Sequence, residues 1–349
     1  MTALRDWIKQ NQVLAFYLIV FVISWPAMFL AFFAFRTNVG LQSLFGILAT
    51  FSPAVIALMI SAVAKLARDA RRRSSRRAIF VGAWLFSWVV QFLYTWQIHG
   101  IGVTPQVIIP SGLVALLPGW LISCAVSRIR GVKELFGTLL RPRGHWLWYL
   151  LALFIVPAVQ VIGVGITTLV GGEVSGPVTG MSVWPAFVLI SLTFLHGFLV
   201  SGGVNEETGW RGFVLPRLQA RYPVIVAAAV VWLFWALWHL PYDFGRDLPL
   251  EIILQNRVLF NFIWSVLMVW LYNRTRGSLL APAMFHPAMN ASGDTLPATD
   301  AATVIFILLA AGVFIGDRMW KKLPADSPAV YRYPVAATGP LPARSADLR

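Results

Sequence analysis

Residues 184–218 read WPAFVLISLTFLHGFLVSGGVNEETGWRGFVLPRL. A mostly apolar run, Trp184 to Gly203, leads straight into two adjacent carboxylates, Glu206 and Glu207, and then Arg211. Apolar runs of about 18 or more residues are long enough to cross a bilayer as a helix. Such runs recur, and the sequence predicts spans at 13–35, 41–64, 78–98, 105–126, 146–170, 184–204, 223–240, 257–273, 279–293 and 301–319. The chain is 58% hydrophobic and 12% charged, where a soluble domain carries about 25% charged residues. A bilayer offers no water to backbone groups, so spans are helices or closed barrels. These runs are too long and too uniformly apolar for barrel strands of about ten alternating residues. The expectation is an all-α fold, a polytopic transmembrane helical bundle of about 8–10 spans.

The formal net charge is +14. Its distribution points to topology and not to nucleic acid. The loop 65–77, KLARDARRRSSRR, and the loop 127–145 are basic, whereas 99–106 and 171–183 contain no Lys or Arg. Basic residues recur at Arg217 and Arg221, Arg274 and Arg276, and Lys321 and Lys322. Cytoplasmic loops are enriched in Lys and Arg, so ten spans with both termini cytoplasmic satisfy every loop. Eight spans result if 279–293 is re-entrant and another weak segment fails to cross. The run 13–35 is long for a signal-peptide core and is expected to be a retained first span. Cys124 is the only cysteine and lies in an apolar run, so there is no disulfide framework and no cysteine-based zinc cage. The expected organisation is N-terminal transmembrane helices over 1–183, a core over 184–293, a last transmembrane helix over 294–320 and a flexible cytoplasmic tail over 321–349. No internal repeat of a two-halved transporter is visible.

Ionisable groups at membrane depth are costly and usually face a bundle interior or a wet cavity. Glu206 and Glu207 are adjacent, so in a helix they point about 100° apart. Arg211 follows Glu207 by four residues and can pair with it, which leaves Glu206 free for another partner. The run VVWLFWALWH places Trp235 four residues before His239, on the same face. In GSLLAPAMFHPAMNAS, His286 and Asn290 are also four apart, although Pro287 distorts the helix there. Taken singly, each is also an ordinary helix-end or interfacial group. With the loops oriented as above, Glu206 is expected near the cytoplasmic end of its helix and His239 near the far end of the next. Those two depths conflict unless one helix is short, tilted or broken.

NEETGWRGFVLPRL, WALWHLP and GSLLAPAMFHPAMN, in that order, resemble the CPBP family, the CAAX-processing intramembrane proteases and their bacteriocin-processing relatives. The family's EExxxR corresponds to Glu206, Glu207 and Arg211. Its FxxxH corresponds to Trp235 and His239, with Trp in place of the usual Phe. Its HxxxN corresponds to His286 and Asn290. The resemblance implies an intramembrane endopeptidase whose cavity opens toward the membrane interior and the cytoplasmic side. It implies Glu206 as general base, His239 helping to hold and activate water, His286 and Asn290 stabilising the oxyanion, and Arg211 holding Glu207. Amide hydrolysis independently requires a base at the attacking water and donors at the developing oxyanion. A protein or peptide substrate in or at the membrane is the expected partner, with the lipid bilayer and no nucleic acid. No cofactor is expected. Zinc is the less favoured alternative, because the HExxH helix of zinc peptidases is missing. The competing readings are a non-enzymatic immunity or scaffold protein and a proton-relay transporter. The short loops suggest a bacterial inner-membrane protein.

Overall fold

The computed structural model describes residues 2–67, 75–100 and 102–333. Residues 68–74 of the basic loop and 334–349 of the tail lie outside the described residues. Among the described residues the regular elements are all helical. In chain order they are α1 (Thr2–Gln10), α2 (Gln12–Phe29), α3 (Val39–Ala64), α4 (Arg76–His99), α5 (Pro105–Ser123), α6 (Arg130–Leu140), α7 (Leu147–Leu169), α8 (Val183–Leu199), α9 (Val204–Glu207), α10 (Leu215–Gln219), α11 (Val224–Gly245), α12 (Leu250–Leu254), α13 (Asn261–Arg274), α14 (Leu280–Thr295) and α15 (Asp300–Gly316). π-helical turns extend α2 over Leu30–Ala34, join α9 to α10 over Thr208–Val214 and join α12 to α13 over Gln255–Phe260.

Among the described residues, eight helical segments are long and apolar enough to cross a membrane. Their outward faces carry Val22, Leu44, Phe86, Phe154 and Leu237, as lipid contact requires. The protein is a multi-pass helical membrane protein. α14 and α15 have 16 and 17 residues, about 24 and 26 Å of helix, and they run between the same two ends of the bundle as the longer helices.

Those ends differ in chemistry. At one end the basic loops interlock. Lys65 pairs with Glu134 at 2.5 Å, Leu279 N–H donates to Thr138 Oγ1 at 2.9 Å, and Ile225 N–H donates to Met319 O at 2.8 Å. α6 packs here with Val132, Leu135, Phe136 and Leu139 buried, within the stretch 127–145 that hydropathy alone predicts to be a loop. It lies so close to α3 that a Cβ on Gly131 would stand 2.0 Å from Ser61 O. At the other end Arg36 pairs with Asp247 at 2.6 Å, and Val178 N–H donates to Thr295 O at 3.3 Å.

The span starting at Val183 is not one helix. It runs to Gln219 over 37 residues and breaks at Val200–Gly203. Gly202 takes φ +116°, open to glycine and strained for any other residue. A break at membrane depth must still satisfy its backbone groups, and buried Asn205 does so. Its Oδ1 accepts from Gly202 N–H at 2.9 Å, and its Nδ2 donates to Val200 O at 2.9 Å and to Thr50 O at 3.0 Å. Glu206 therefore begins the second half of a broken span instead of ending a helix at the basic loops. From Gln219 back to Glu206, and from Val224 on to His239, the helical path is about 20 Å in each case. The two residues share one depth, and the conflict in the sequence reading disappears.

Part of the expected tail is held against the bundle: residues 321–333 are irregular, and the rest lies outside the described residues. Tyr331 N–H donates to Pro216 O at 2.9 Å, Gln219 Nε2 donates to Ala329 O at 3.0 Å, and Ala329 is buried. Tyr331 supplies the aromatic surface that a buried Arg217 needs, with the guanidinium 3.8 Å from the ring centroid.

Candidate active site

Glu206, His239, His286 and Asn290 line one cavity of about 570 Å³. They come from α9, α11 and α14, and the walls are completed by α2, α3, α7, α13 and α15. The volume lies within the usual range of ligand sites, roughly 300–1,000 Å³.

Glu206 and Glu207 diverge as adjacent helical residues must. Glu206 faces the cavity, where its Oε2 accepts a 3.0 Å hydrogen bond from Trp235 Nε1. Glu207 points into the protein and is fully buried. Its Oε1 accepts from Arg211 Nη1 at 2.9 Å and pairs with His286 Nδ1 at 2.7 Å. The i, i+4 pairing of Glu207 with Arg211 is therefore present, and His286 is a partner the spacing could not disclose. Arg211, also fully buried, lies 4.5 Å from the Trp235 ring centroid. Trp235 thus joins the motifs: its ring receives Arg211 and its N–H reaches Glu206. A phenylalanine here would keep the ring and lose the N–H.

The imidazoles are oriented by acceptors. His239 Nδ1 is 2.6 Å from Trp235 O. A carbonyl can only accept, so Nδ1 carries the proton and Nε2 of the neutral ring is left with a lone pair. His286 Nδ1 donates to the Glu207 carboxylate by the same reasoning, so its Nε2 donates only when the ring is doubly protonated. Gly202 lies against that ring: a Cβ there would stand 2.7 Å from His286 Nε2. Asn290 Nδ2 is 3.5 Å from Ser201 O, too long for a strong bond, so its amide is only loosely committed. Among the described residues no group of three or more His, Cys, Asp or Glu side chains is arranged to hold a metal ion.

Sequence reasoning missed several polar residues. Asp243 lies four residues beyond His239 and is 1% exposed. It takes Arg257, from the turn after α12, in a two-pronged pair with both distances 2.6 Å. Arg257, Asn261 and Gln160 also line the cavity. The period of four through Trp235, His239 and Asp243 was the available signal.

The cavity lies in the half of the bundle away from the basic loops. Its exposed lining residues include Gly293, Asp294 and Ala298, all at that far end. Between Glu206 and the basic loops the helices are packed solid, with Trp210, Phe213, Leu215, Leu267 and Leu271 fully buried.

Fold and site together define a polytopic helical membrane protein with a carboxylate, two imidazoles and a carboxamide in an internal cavity. Residues 181–292 match the family described as type II CAAX prenyl endopeptidase Rce1-like. CAAX prenyl protease 2 of Methanococcus maripaludis is 27% identical over 112 residues, covering 29% of this chain and 41% of that protein. The chain thus aligns with about two fifths of its relative's length. Over residues 181–292 the chain is similar to the Rce1-like CAAX prenyl endopeptidases.

Proposed function

We propose that this protein is an intramembrane endopeptidase that hydrolyses peptide bonds of membrane-associated protein or peptide substrates with a glutamate-activated water. The observation that carries this reading is the convergence of Glu206, His239, His286 and Asn290, from three separate helices, on one cavity. Glu206 is the general base. It is the carboxylate facing the cavity, while Glu207 is committed to Arg211 and His286. His239, fixed with Nε2 unprotonated, accepts a hydrogen bond from the attacking water and shares its activation. Asn290 Nδ2 donates to the developing oxyanion. A donor of this kind is worth about 3–4 kcal/mol of barrier. His286, oriented through Nδ1 by Glu207, presents its ring to the same region of the cavity. The reading is metal-free, with the glutamate in place of a Lewis acid. The membrane is a bacterial inner membrane.

The test uses purified protein in detergent and a library of quenched fluorescent peptides. Wild type is expected to cleave, and Glu206→Gln to lose at least 100-fold in kcat while retaining its melting temperature, in line with the usual size of general-base effects. Full turnover in Glu206→Gln rejects the mechanism. Cleavage by neither protein favours a non-enzymatic immunity or scaffold role. Elemental analysis with chelation before assay tests the metal-free reading. Turnover is expected to survive chelation, and stoichiometric zinc whose removal stops turnover overturns it.

A further inference from the structure

We infer that the catalytic cavity opens on the extracytoplasmic face, so that the substrate is a segment of an exported or membrane-anchored polypeptide presented from outside the cytoplasm. The cytoplasmic side of a multi-pass protein is the side whose short loops are rich in Lys and Arg. Here the described basic residues gather at one end: Lys65, Arg76 and Arg77, those of 127–145, Arg217 and Arg221, Arg274 and Arg276, and Arg318 to Lys322. The first helix brings Arg5 and Lys9 to the same end, where Gln12 accepts from Arg217. The opposite end carries Arg36 and Arg246 among Glu173, Asp247, Glu251, Asp294 and Asp300. The charge bias is one-sided, and it assigns the basic end to the cytoplasm.

The cavity sits at the other end. Glu206 and His239 lie about 20 Å of helix from the basic loops, in a hydrocarbon layer about 30 Å thick. That 20 Å is filled by fully buried side chains, Trp210, Phe213, Leu215 and Leu267 among them, so a peptide has no route from the basic end. The remaining third is where Gly293, Asp294 and Ala298 line the cavity and are exposed. The walls near the site are aromatic, with Phe32, Trp235, Trp238, Phe260, Trp264 and Phe306. They suit an extended apolar segment. This places the substrate class on a different side from a cytosolic, lipid-modified C-terminus.

The role of the cavity rests on the proposed peptidase activity, but its sidedness does not. The only cysteine, Cys124, is buried, so thiol labelling of introduced cysteines has little background. Asp294→Cys and Ala298→Cys report the cavity mouth, and Ala325→Cys reports the basic end. Each full-length variant is expressed in a bacterial inner membrane. Spheroplasts and lysed membranes are treated with a membrane-impermeant disulfonated maleimide. Asp294→Cys and Ala298→Cys are expected to label fully in intact spheroplasts, and Ala325→Cys only after lysis. Labelling of the mouth cysteines only after lysis, or of Ala325→Cys in intact cells, overturns the inference. If one mouth variant does not accumulate, the other decides. A second arm supplies the quenched peptides to right-side-out and to inside-out vesicles. Cleavage is expected in the former. Cleavage confined to inside-out vesicles also overturns the inference. Absence of cleavage even in detergent removes the peptidase reading and leaves the labelling result to judge the opening.

Discussion

Glu207 accepts two donors at one oxygen in a fully buried position, while its other oxygen and two of the Arg211 nitrogens have no partner among the described residues. Polar groups left unpaired at depth are uncommon and tend to mark functional sites. At this scale the spacing was informative. Four-residue intervals predicted which side chains share a helix face, and the Glu207–Arg211 pair forms as that rule requires. The contacts that assemble the site were not legible. Trp235 meets Glu206 across 29 residues of sequence and His286 meets Glu207 across 79, and no local periodicity reports such distances. The indole is the test of how much assembly matters. Trp235→Phe retains an aromatic face for Arg211 and deletes the hydrogen bond to Glu206. Hydrogen bonds to charged groups are worth about 1.5–3 kcal/mol. We therefore expect kcat to fall by roughly one to two orders of magnitude with little change in KM, while the melting temperature stays near wild type. Wild-type kcat in this variant would show that the indole N–H does not position the base.

At the scale of elements, the decisive feature is a helix that stops halfway. The apolar run ending at Gly203 was legible as a span, and the Ser201-Gly202-Gly203 triplet was in plain view. Hydropathy did not disclose the break, because it averages over a window longer than the break itself. A continuous helix would have carried Glu206 to the basic loops, far from His239. Gly202 meets two demands: its φ of +116° and its contact with the His286 ring. Gly202→Ala is expected to destabilise the protein by about 1–3 kcal/mol through backbone strain, and to lower kcat/KM at least tenfold by displacing His286. Gly312→Ala in α15, away from the cavity lining, is the control. Nothing stands within 4 Å of a Cβ there and φ is ordinary, so turnover should be unchanged and the melting temperature should not fall. Equal behaviour of the two variants in unfolding and kinetic assays would refute the role given to the break. The same reasoning covers α6, whose eleven residues bury Val132, Leu135, Phe136 and Leu139 on one face and carry Arg130, Lys133 and Glu134 in the first half. A window tuned to spans passes over an amphipathic helix of three turns.

Across the whole molecule, the bundle class and the one-sided distribution of basic loops followed from hydropathy and charge, since both are sums over many residues. The docking of 321–333 did not follow, because a Pro- and Ala-rich segment without periodicity looks the same in sequence whether it is free or bound. Its hold comes from partners far along the chain. Arg217 lies between the rings of Phe213 and Tyr331, at 3.6 and 3.8 Å, and its Nε donates to Gln12 at 2.8 Å. The strap thus ties the start of α2, the end of α10 and the chain's last described residues into one closed end. Tyr331→Ala removes one aromatic face from a buried guanidinium, and a desolvated cation–π contact is worth about 2 kcal/mol. The expected result is a melting temperature several degrees lower in detergent and faster proteolysis within 321–333. Peptide cleavage below the melting range should be unaffected, because the strap lies about 20 Å of helix from Glu206. Tyr331→Phe, which keeps the ring, should melt like wild type. If Tyr331→Ala melts normally, the segment rests on the bundle without closing it. If it melts normally and also loses activity, the basic end communicates with the cavity, and the packed core between them is not the inert plug that its burial implies.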